Sequence, residues 1–272
     1  MAEPKPHLVA LDRDHPGFRD PVYRARRNAI AQQALDSVDG APAPVVAYTD
    51  EERGVWRHVL GALAPLHQRF ATPTFLGEWP TLGFSTERVP QFDEVNRVLE
   101  TRTGFRLAPV AGLVSPAEFM LALADGVFLA TQYMRHHSMP LYTPEPDVIH
   151  ELVGHAALLA DERYARVNRR FGRATRRARP AQIDALIRVY WYSLEFGVAR
   201  HGDGLQVLGA GLLSSFGELG RFEQATLRPF DLDEMANTPF DPTQYQRTLF
   251  VGRSEAAMLD AVEAWLAILE AQ

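Results

Sequence analysis

Three prolines within seven residues, Pro140, Pro144 and Pro146, interrupt the 272-residue chain near its midpoint. Proline has no backbone N–H and disfavours helix at the residue before it, so residues 138–146 must be irregular. The elements on either side therefore meet across this segment instead of running through it. Upstream, Ser115-Pro116-Ala117-Glu118 is a helix start. Ser115 caps, Pro116 takes the first helical position and Glu118 reaches back, and the helix is expected to run to about residue 136. Downstream, a helix is expected over 147–159. A longer one is expected over 181–200, with Ile187, Trp191, Leu194 and Val198 on one face.

The remaining chain reads as more helix and little strand. Residues 1–48, rich in Pro, Arg and Ala, read as an N-terminal arm with a short helix over 21–33. Residues 49–272 read as one catalytic domain. Its first helix opens at Thr49 and Asp50 and carries Trp56, Val59, Leu60 and Leu63 at helical spacing. Segment 71–91 reads as loop, and 93–101 as a short helix that stops at Gly104. Short strands are expected at 205–208 and 248–251. A last helix follows Ser254, with Met258, Val262, Trp265, Leu266 and Leu269 as its apolar stripe. The expected class is mainly α with a few short strands, in a single compact domain.

Several functions drop out on composition. There is no cysteine, which removes disulfides, zinc–thiolate sites, iron–sulfur clusters and cysteine nucleophiles, and fits a reducing cytoplasm. No run of about 18 apolar residues offers a membrane span. The start, Met1-Ala2-Glu3-Pro4-Lys5-Pro6, lacks the charged and apolar regions of a signal peptide. The net charge is -6, although Arg163, Arg166, Arg169, Arg170, Arg173, Arg176, Arg177 and Arg179 crowd one segment. No aromatic residues interleave there at a base-stacking spacing, so the segment reads as a solvated helix face and not as a nucleic-acid surface.

The chemistry concentrates at His150, Glu151 and His155. Histidines four apart sit about 40° apart around an α-helix and can share a metal; five apart, they sit about 140° apart. These two can converge only where the helix is distorted, and Gly154 is the natural place, since helical bulges favour functional sites. Without cysteine, a third ligand must be a carboxylate or another histidine. Glu195 is the best candidate, an acid among Trp191, Leu194 and Val198, where an unpaired carboxylate would be costly to bury. Two histidines and one carboxylate with open positions form the facial triad of non-haem Fe(II) oxygenases, with zinc as the other reading. Glu151, next to His150, points elsewhere on the helix and suits a neighbour of metal or substrate better than a ligand. His136 and His137 fall outside any ligand spacing.

The stretch from Arg135-His136 through Pro140 to His155 resembles the pterin-dependent aromatic amino acid hydroxylases. So do residues 190–197, Gly209 to Glu218, and Gly104-Phe105 with Pro109 to Ser115. The resemblance covers roughly 85–266. It implies that His150, His155 and Glu195 ligate Fe(II), and that tetrahydrobiopterin or a related reduced pterin gives two electrons to O2, the co-substrate. It implies that Val110, Gly112 and Val114 hydrogen-bond the pterin through their backbone, that Phe119 stacks on it, and that Glu151 and Tyr190 line its side of the iron as catalytic residues. Arg135, held by Asp147, would pair with the substrate carboxylate, as a guanidinium fork does. Tyr142, Thr143, Ser214 and Ser215 would surround the polar end of the amino acid, and Pro146 and Trp191 its ring.

Where the family has Gln-Pro after an aromatic, this chain has Tyr245-Gln246-Arg247. Phe240-Asp241-Pro242-Thr243 occupies the loop that helps select the substrate, and Pro242 matches none of the usual residues there. Phenylalanine hydroxylation to tyrosine is the expected reaction, because small stand-alone members are most often phenylalanine hydroxylases and Trp191 fits that branch. The alternatives are tyrosine or tryptophan hydroxylation, meta-hydroxylation of phenylalanine, a zinc hydrolase on the same histidines, and a relative that binds ligand without chemistry. The sequence ends with its last helix, without the helical extension through which longer members tetramerise, which implies a monomer.

Overall fold

The structure, a computed structural model, describes residue 11 and residues 13–38 and 41–271. The first six residues, on which the signal-peptide reading rests, lie outside these. Helix α1 (Pro21–Leu35) starts where the Asp20 carboxylate accepts the Val22 and Tyr23 N–H groups. Helix α2 (Asp50–Phe70) starts from a capping box between Thr49 and Glu52. The segment expected to be loop instead holds α3 (Pro73–Glu78) and a 3-10 turn (Trp79–Leu82). Thr72 caps it and Pro73 takes the first position. That start signal is clear, but too short a run follows it to show a helical period. Helix α4 (Phe92–Arg102) ends before Gly104, whose φ is 69°.

The largest departure from expectation follows Ser115. Helix α5 (Pro116–Leu123) does begin at the Ser115 cap, but it stops after eight residues instead of reaching 136. Gly126 turns the chain with φ 72°, and a Cβ there would come 2.8 Å from the Gly104 carbonyl. Residues Val127–Thr131 then form β2, parallel to β1 (Arg106–Val110), with Val110 opposite Thr131. Residues with β-branched and aromatic side chains here serve the strand, and pairing with β1 outweighs the helical period.

Beyond the irregular proline segment, a π-helix (His150–Ala156) leads into α6 (Ala157–Leu159) and α7 (Glu162–Arg177). Helix α8 (Pro180–Tyr190) continues as a second π-helix (Trp191–Glu195). The helix expected over 181–200 thus ends at Glu195, and Val198 belongs to strand β3 (Val198–His201). Strand β4 (Gly204–Val207), α9 (Ala210–Leu213), α10 (Phe216–Leu219), β5 (Thr226–Pro229), α11 (Leu232–Asn237), β6 (Thr248–Gly252) and α12 (Glu255–Glu270) complete the order. The second sheet has the order β4-β3-β6-β5, antiparallel only between β3 and β4.

Trp56, Phe75, Phe92, Phe105, Phe128, Phe171 and Phe250 fill one core between these elements. The arginine-rich segment is the outer face of α7, and it is not merely solvated. Arg163 pairs with Asp260, Arg166 with Glu263, and Arg170 and Arg173 with Glu270, all on α12. Among the described residues, no helix is long and apolar enough to cross a membrane.

Helix α1 lies against the proline segment. Buried Arg27 sits 3.5 Å above the Tyr133 ring and pairs with Glu145. The Tyr23 hydroxyl donates to the Met134 carbonyl at 3.0 Å. His136, buried, faces Asp20 at 3.2 Å, whereas His137 is exposed and faces Glu51.

Candidate active site

The five-residue spacing of the two histidines is resolved by the π-helix between them. Hydrogen bonding from residue i to i+5 widens the turn, so residues five apart come to the same side. His150 Nε2 and His155 Nε2 are 2.9 Å apart. Gly154 permits this where the helix meets α9, since a Cβ there would lie 2.6 Å from the Ala210 carbonyl oxygen. Glu195 closes the second π-helix, and its carboxylate reaches the same point, 3.1 Å from His155 Nε2 and 3.8 Å from His150 Nε2. Gly209 lets the two segments touch, because its Cβ would lie 2.3 Å from the Glu195 carbonyl oxygen.

This donor set fits a metal. Two ligands about 2.1 Å from one ion and at right angles to each other are about 3 Å apart. The outer nitrogen of His150 strengthens the case. His150 Nδ1 lies 2.8 Å from Ser214 Oγ, and that hydroxyl gives its proton to the Ala210 carbonyl at 2.8 Å. Ser214 therefore accepts from Nδ1–H, which leaves a lone pair on Nε2. Burial pushes the Glu195 carboxyl up, but the charge and hydrogen bond of His155, with His150 and the Gly211 N–H, bring it below its ordinary value. Burial and then the His155 charge lower His150 to about 4.

Glu151 is also close, with an acceptor atom within 4.8 Å of both histidines. One of its oxygens is already engaged, accepting from Thr131 N and Thr131 Oγ1, each at 3.0 Å. Burial raises Glu151 to about 7, against those hydrogen bonds and His155. A carboxylate that spends one oxygen on two hydrogen bonds from Thr131 is a poorer third ligand than Glu195, which faces both imidazoles. Tyr190 lies beside this group, its hydroxyl 3.1 Å from Asn168 Oδ1 and its ring edge-on to Phe119 at 5.7 Å. Phe119 is half-buried and also meets Phe128 edge-on at 5.1 Å. Val110, Gly112 and Val114, likewise half-buried, lie at and beyond the end of β1.

Across the proline segment, Asp147 is fully buried and grips Arg135 at three points. It accepts from the Arg135 backbone N at 2.8 Å, Nε at 2.9 Å and Nη2 at 2.8 Å. The same carboxylate accepts the His150 backbone N–H at 3.2 Å, so the arginine and the histidine share one anchor. Among the described residues the other edge of the guanidinium meets the Pro140 carbonyl, at 3.4 Å, and can grip a second carboxylate. Thr143 Oγ1 donates to the Glu145 carbonyl at 2.8 Å, and the Pro146 carbonyl accepts from the Tyr133 hydroxyl. Tyr142 meets Tyr245 edge-on at 6.2 Å. Ser215 caps α10 and accepts the Glu218 N–H at 3.3 Å. Trp191 stacks on Phe240 with ring centroids 4.1 Å apart and planes 10° apart.

Two supporting residues escape a reading of the sequence: Thr131 and Asn168. Each is a single polar residue without a motif, and its partner lies 20 or 22 positions away.

The sequence matches a model described as "Biopterin-dependent aromatic amino acid hydroxylase" over residues 7–272. Phenylalanine-4-hydroxylase of Rattus norvegicus is 41% identical over 265 residues, covering 95% of this chain and 58% of the relative. Tyrosine 3-monooxygenase of the same species is 43% identical over 259 residues, covering 91% of this chain and 52% of that protein. The chain spans little more than half the length of these relatives. A crystal structure of Chromobacterium violaceum phenylalanine hydroxylase, with bound iron(III) and oxidised cofactor 7,8-dihydrobiopterin, superposes with TM-score 0.79 at 30% identity, covering 91% of each chain. With the family pattern matched almost from end to end and the fold shared with a solved hydroxylase, the chain belongs to the biopterin-dependent aromatic amino acid hydroxylase family.

Proposed function

We propose that this chain is an iron- and tetrahydropterin-dependent monooxygenase that converts free L-phenylalanine to L-tyrosine. The observation that carries the reading is the meeting of His150, His155 and Glu195 at one point, next to an arginine locked by the buried Asp147. His150, His155 and Glu195 would hold Fe(II). When bound, iron and reduced pterin supply the activation of dioxygen: two electrons come from the pterin, and one oxygen atom ends on the ring, the other on the pterin.

The protein's own part is to bind, orient and keep water out. Arg135 holds the substrate carboxylate through its free edge while Asp147 fixes its other edge. Tyr142, Thr143 and Ser215 surround the polar end, and Ser214 does so while orienting His150. Pro146 and Trp191 flank the ring. On the other side, the half-buried Phe119 offers an aromatic face to the pterin, and Val110, Gly112 and Val114 offer backbone groups. Glu151, held near 7 by burial and positioned by Thr131, can keep or give up a proton at its free oxygen, beside the two histidines that would hold iron. Tyr190 walls the same side. We take 49–272 as the catalytic domain and 1–48 as an arm that braces the proline segment through Arg27 and Tyr23.

The identity to phenylalanine-4-hydroxylase and the likeness to the Chromobacterium enzyme support phenylalanine as substrate. The identity to tyrosine 3-monooxygenase favours tyrosine as the second reading. A product assay with phenylalanine, tyrosine and tryptophan side by side tests both. Conversion of phenylalanine to tyrosine that needs Fe(II), tetrahydropterin and O2 together is expected. Turnover without pterin, or none with any of the three amino acids, would overturn the proposal.

A further inference from the structure

One side chain hydrogen-bonds the loop over residues 240–247 to Trp191. Gln246 Oε1 accepts the indole Nε1–H of Trp191 at 3.0 Å. Its Nε2 donates to the carbonyls of Asp241, at 3.0 Å, and Gln244, at 2.9 Å. Its backbone N–H donates to Glu218 Oε1 at 2.8 Å. Both N–H groups of the amide and its carbonyl are therefore engaged, with the loop on one side and the indole on the other. The loop cannot shift without turning the amide, and the amide cannot turn without releasing Trp191.

Trp191 stands where such a constraint matters. It opens the π-helix that ends at Glu195, and its carbonyl accepts the Phe196 N–H at 2.8 Å. Its ring is stacked on Phe240, from the same loop, and packs against Phe196 at 4.6 Å. Residue 245 extends the loop's reach to the polar end of the site, since Tyr245 meets Tyr142 and lies under the Arg221 guanidinium. Consecutive loop residues thus touch one residue assigned above to the substrate's ring and one assigned to its polar end.

We propose that Gln246 is a positioning residue for substrate selection: by fixing the plane of the Trp191 indole, it sets which aromatic side chain the ring pocket accepts. The inference rests on the amino acid reading above. Only an amide of this length can accept from the indole and donate to two carbonyls together. Methionine keeps the length and loses all three bonds. Trp191→Phe keeps a stacking ring but loses the N–H together with the second ring of the indole.

The test compares Gln246→Met, Trp191→Phe and the double variant of the iron-loaded full chain. kcat/KM is measured for phenylalanine and for tryptophan at saturating tetrahydropterin, alongside iron content, pterin KM and phenylalanine binding by calorimetry. Gln246→Met is expected to lower the phenylalanine-to-tryptophan ratio of kcat/KM about fivefold, the worth of one neutral hydrogen bond, with iron content and pterin KM unchanged. Trp191→Phe should lower the ratio at least as far, and the double variant no further than Trp191→Phe, since Gln246 then has no indole N–H to hold. A ratio that does not move, an equal loss for both substrates, or full additivity in the double variant overturns the proposal. Should Gln246→Met not fold, an unchanged ratio in Trp191→Phe does the same. Wild-type protein that binds neither amino acid in the calorimeter would instead mark the substrate reading as wrong, and this inference would fall with it.

Discussion

His150, His155 and Glu195 reach their common point from two π-helices packed into the core, with glycines removing the side chains that would hold the segments apart. Tyr142, Thr143, Pro146 and the loop over 240–247 approach the proposed amino acid side from irregular backbone that is half open to solvent. The difference follows from what each side has to do. Metal ligands must stand at fixed distances of a few tenths of an ångström tolerance, and regular backbone buried on all sides delivers that. A pocket that discriminates between flat side chains needs shape that can be varied, and loops pinned by individual hydrogen bonds deliver that.

The contrast can be broken most directly at the metal side. His155→Ala should reduce bound iron to background, as read by metal analysis of the purified protein; a variant that keeps one iron per chain would mean the convergence does not hold the metal. Next in size is Arg135→Lys, which loses the bidentate fork to Asp147 and the free edge. It should raise the KM for phenylalanine by roughly 10- to 100-fold while iron content stays near wild type. An unchanged KM would take Arg135 out of the carboxylate site. Ser214→Ala leaves all three ligands in place but frees the His150 tautomer, and about a tenfold loss of iron affinity in a chelator competition is expected.

The smallest effect concerns the brace behind the proline segment. Burial pushes Glu145 up, but its hydrogen bonds and charge contacts with His15 and Arg27 outweigh this and hold it below its ordinary value. A carboxylate with a depressed folded-state pKa adds stability above its unfolded pKa, near 4.3, and loses it as the pH falls through the folded value. Denaturant midpoints compared at about pH 7 and about pH 3.5 should therefore differ less in Glu145→Gln than in wild type. An equal difference in the two proteins would assign the acid sensitivity elsewhere.

The metal side was the more legible in the sequence. Three residue types and one awkward spacing implied both a shared ion and a distorted helix, and Gly154 marked the place, because few arrangements satisfy all three. The end of α5 was not legible. Val127 to Thr131 continue an apolar pattern that suits helix or strand, and only the pairing with β1, 21 positions earlier at every rung, decides between them. The hold of Gln246 on Trp191 was hidden for the same reason: a lone glutamine in a polar loop carries no sign of an indole 55 positions away. The arginines of α7 were visible as a charged face, but their partners on α12 lie some hundred positions downstream, beyond the reach of local patterning.

The ladder between β1 and β2 binds the two halves of the proposed cofactor side into a single setting. Val110, where the loop assigned to the pterin begins, sits opposite Thr131, which orients Glu151. A slip of one strand by one residue would turn that strand's side chains to the opposite face and break the pairing of Val110 with Thr131. Insertions in the crossover between them are tolerable only outside the ladder; one that displaced it would shift the proposed pterin loop and the proposed Glu151 proton site in the same stroke, with His150, His155 and Glu195 still in place.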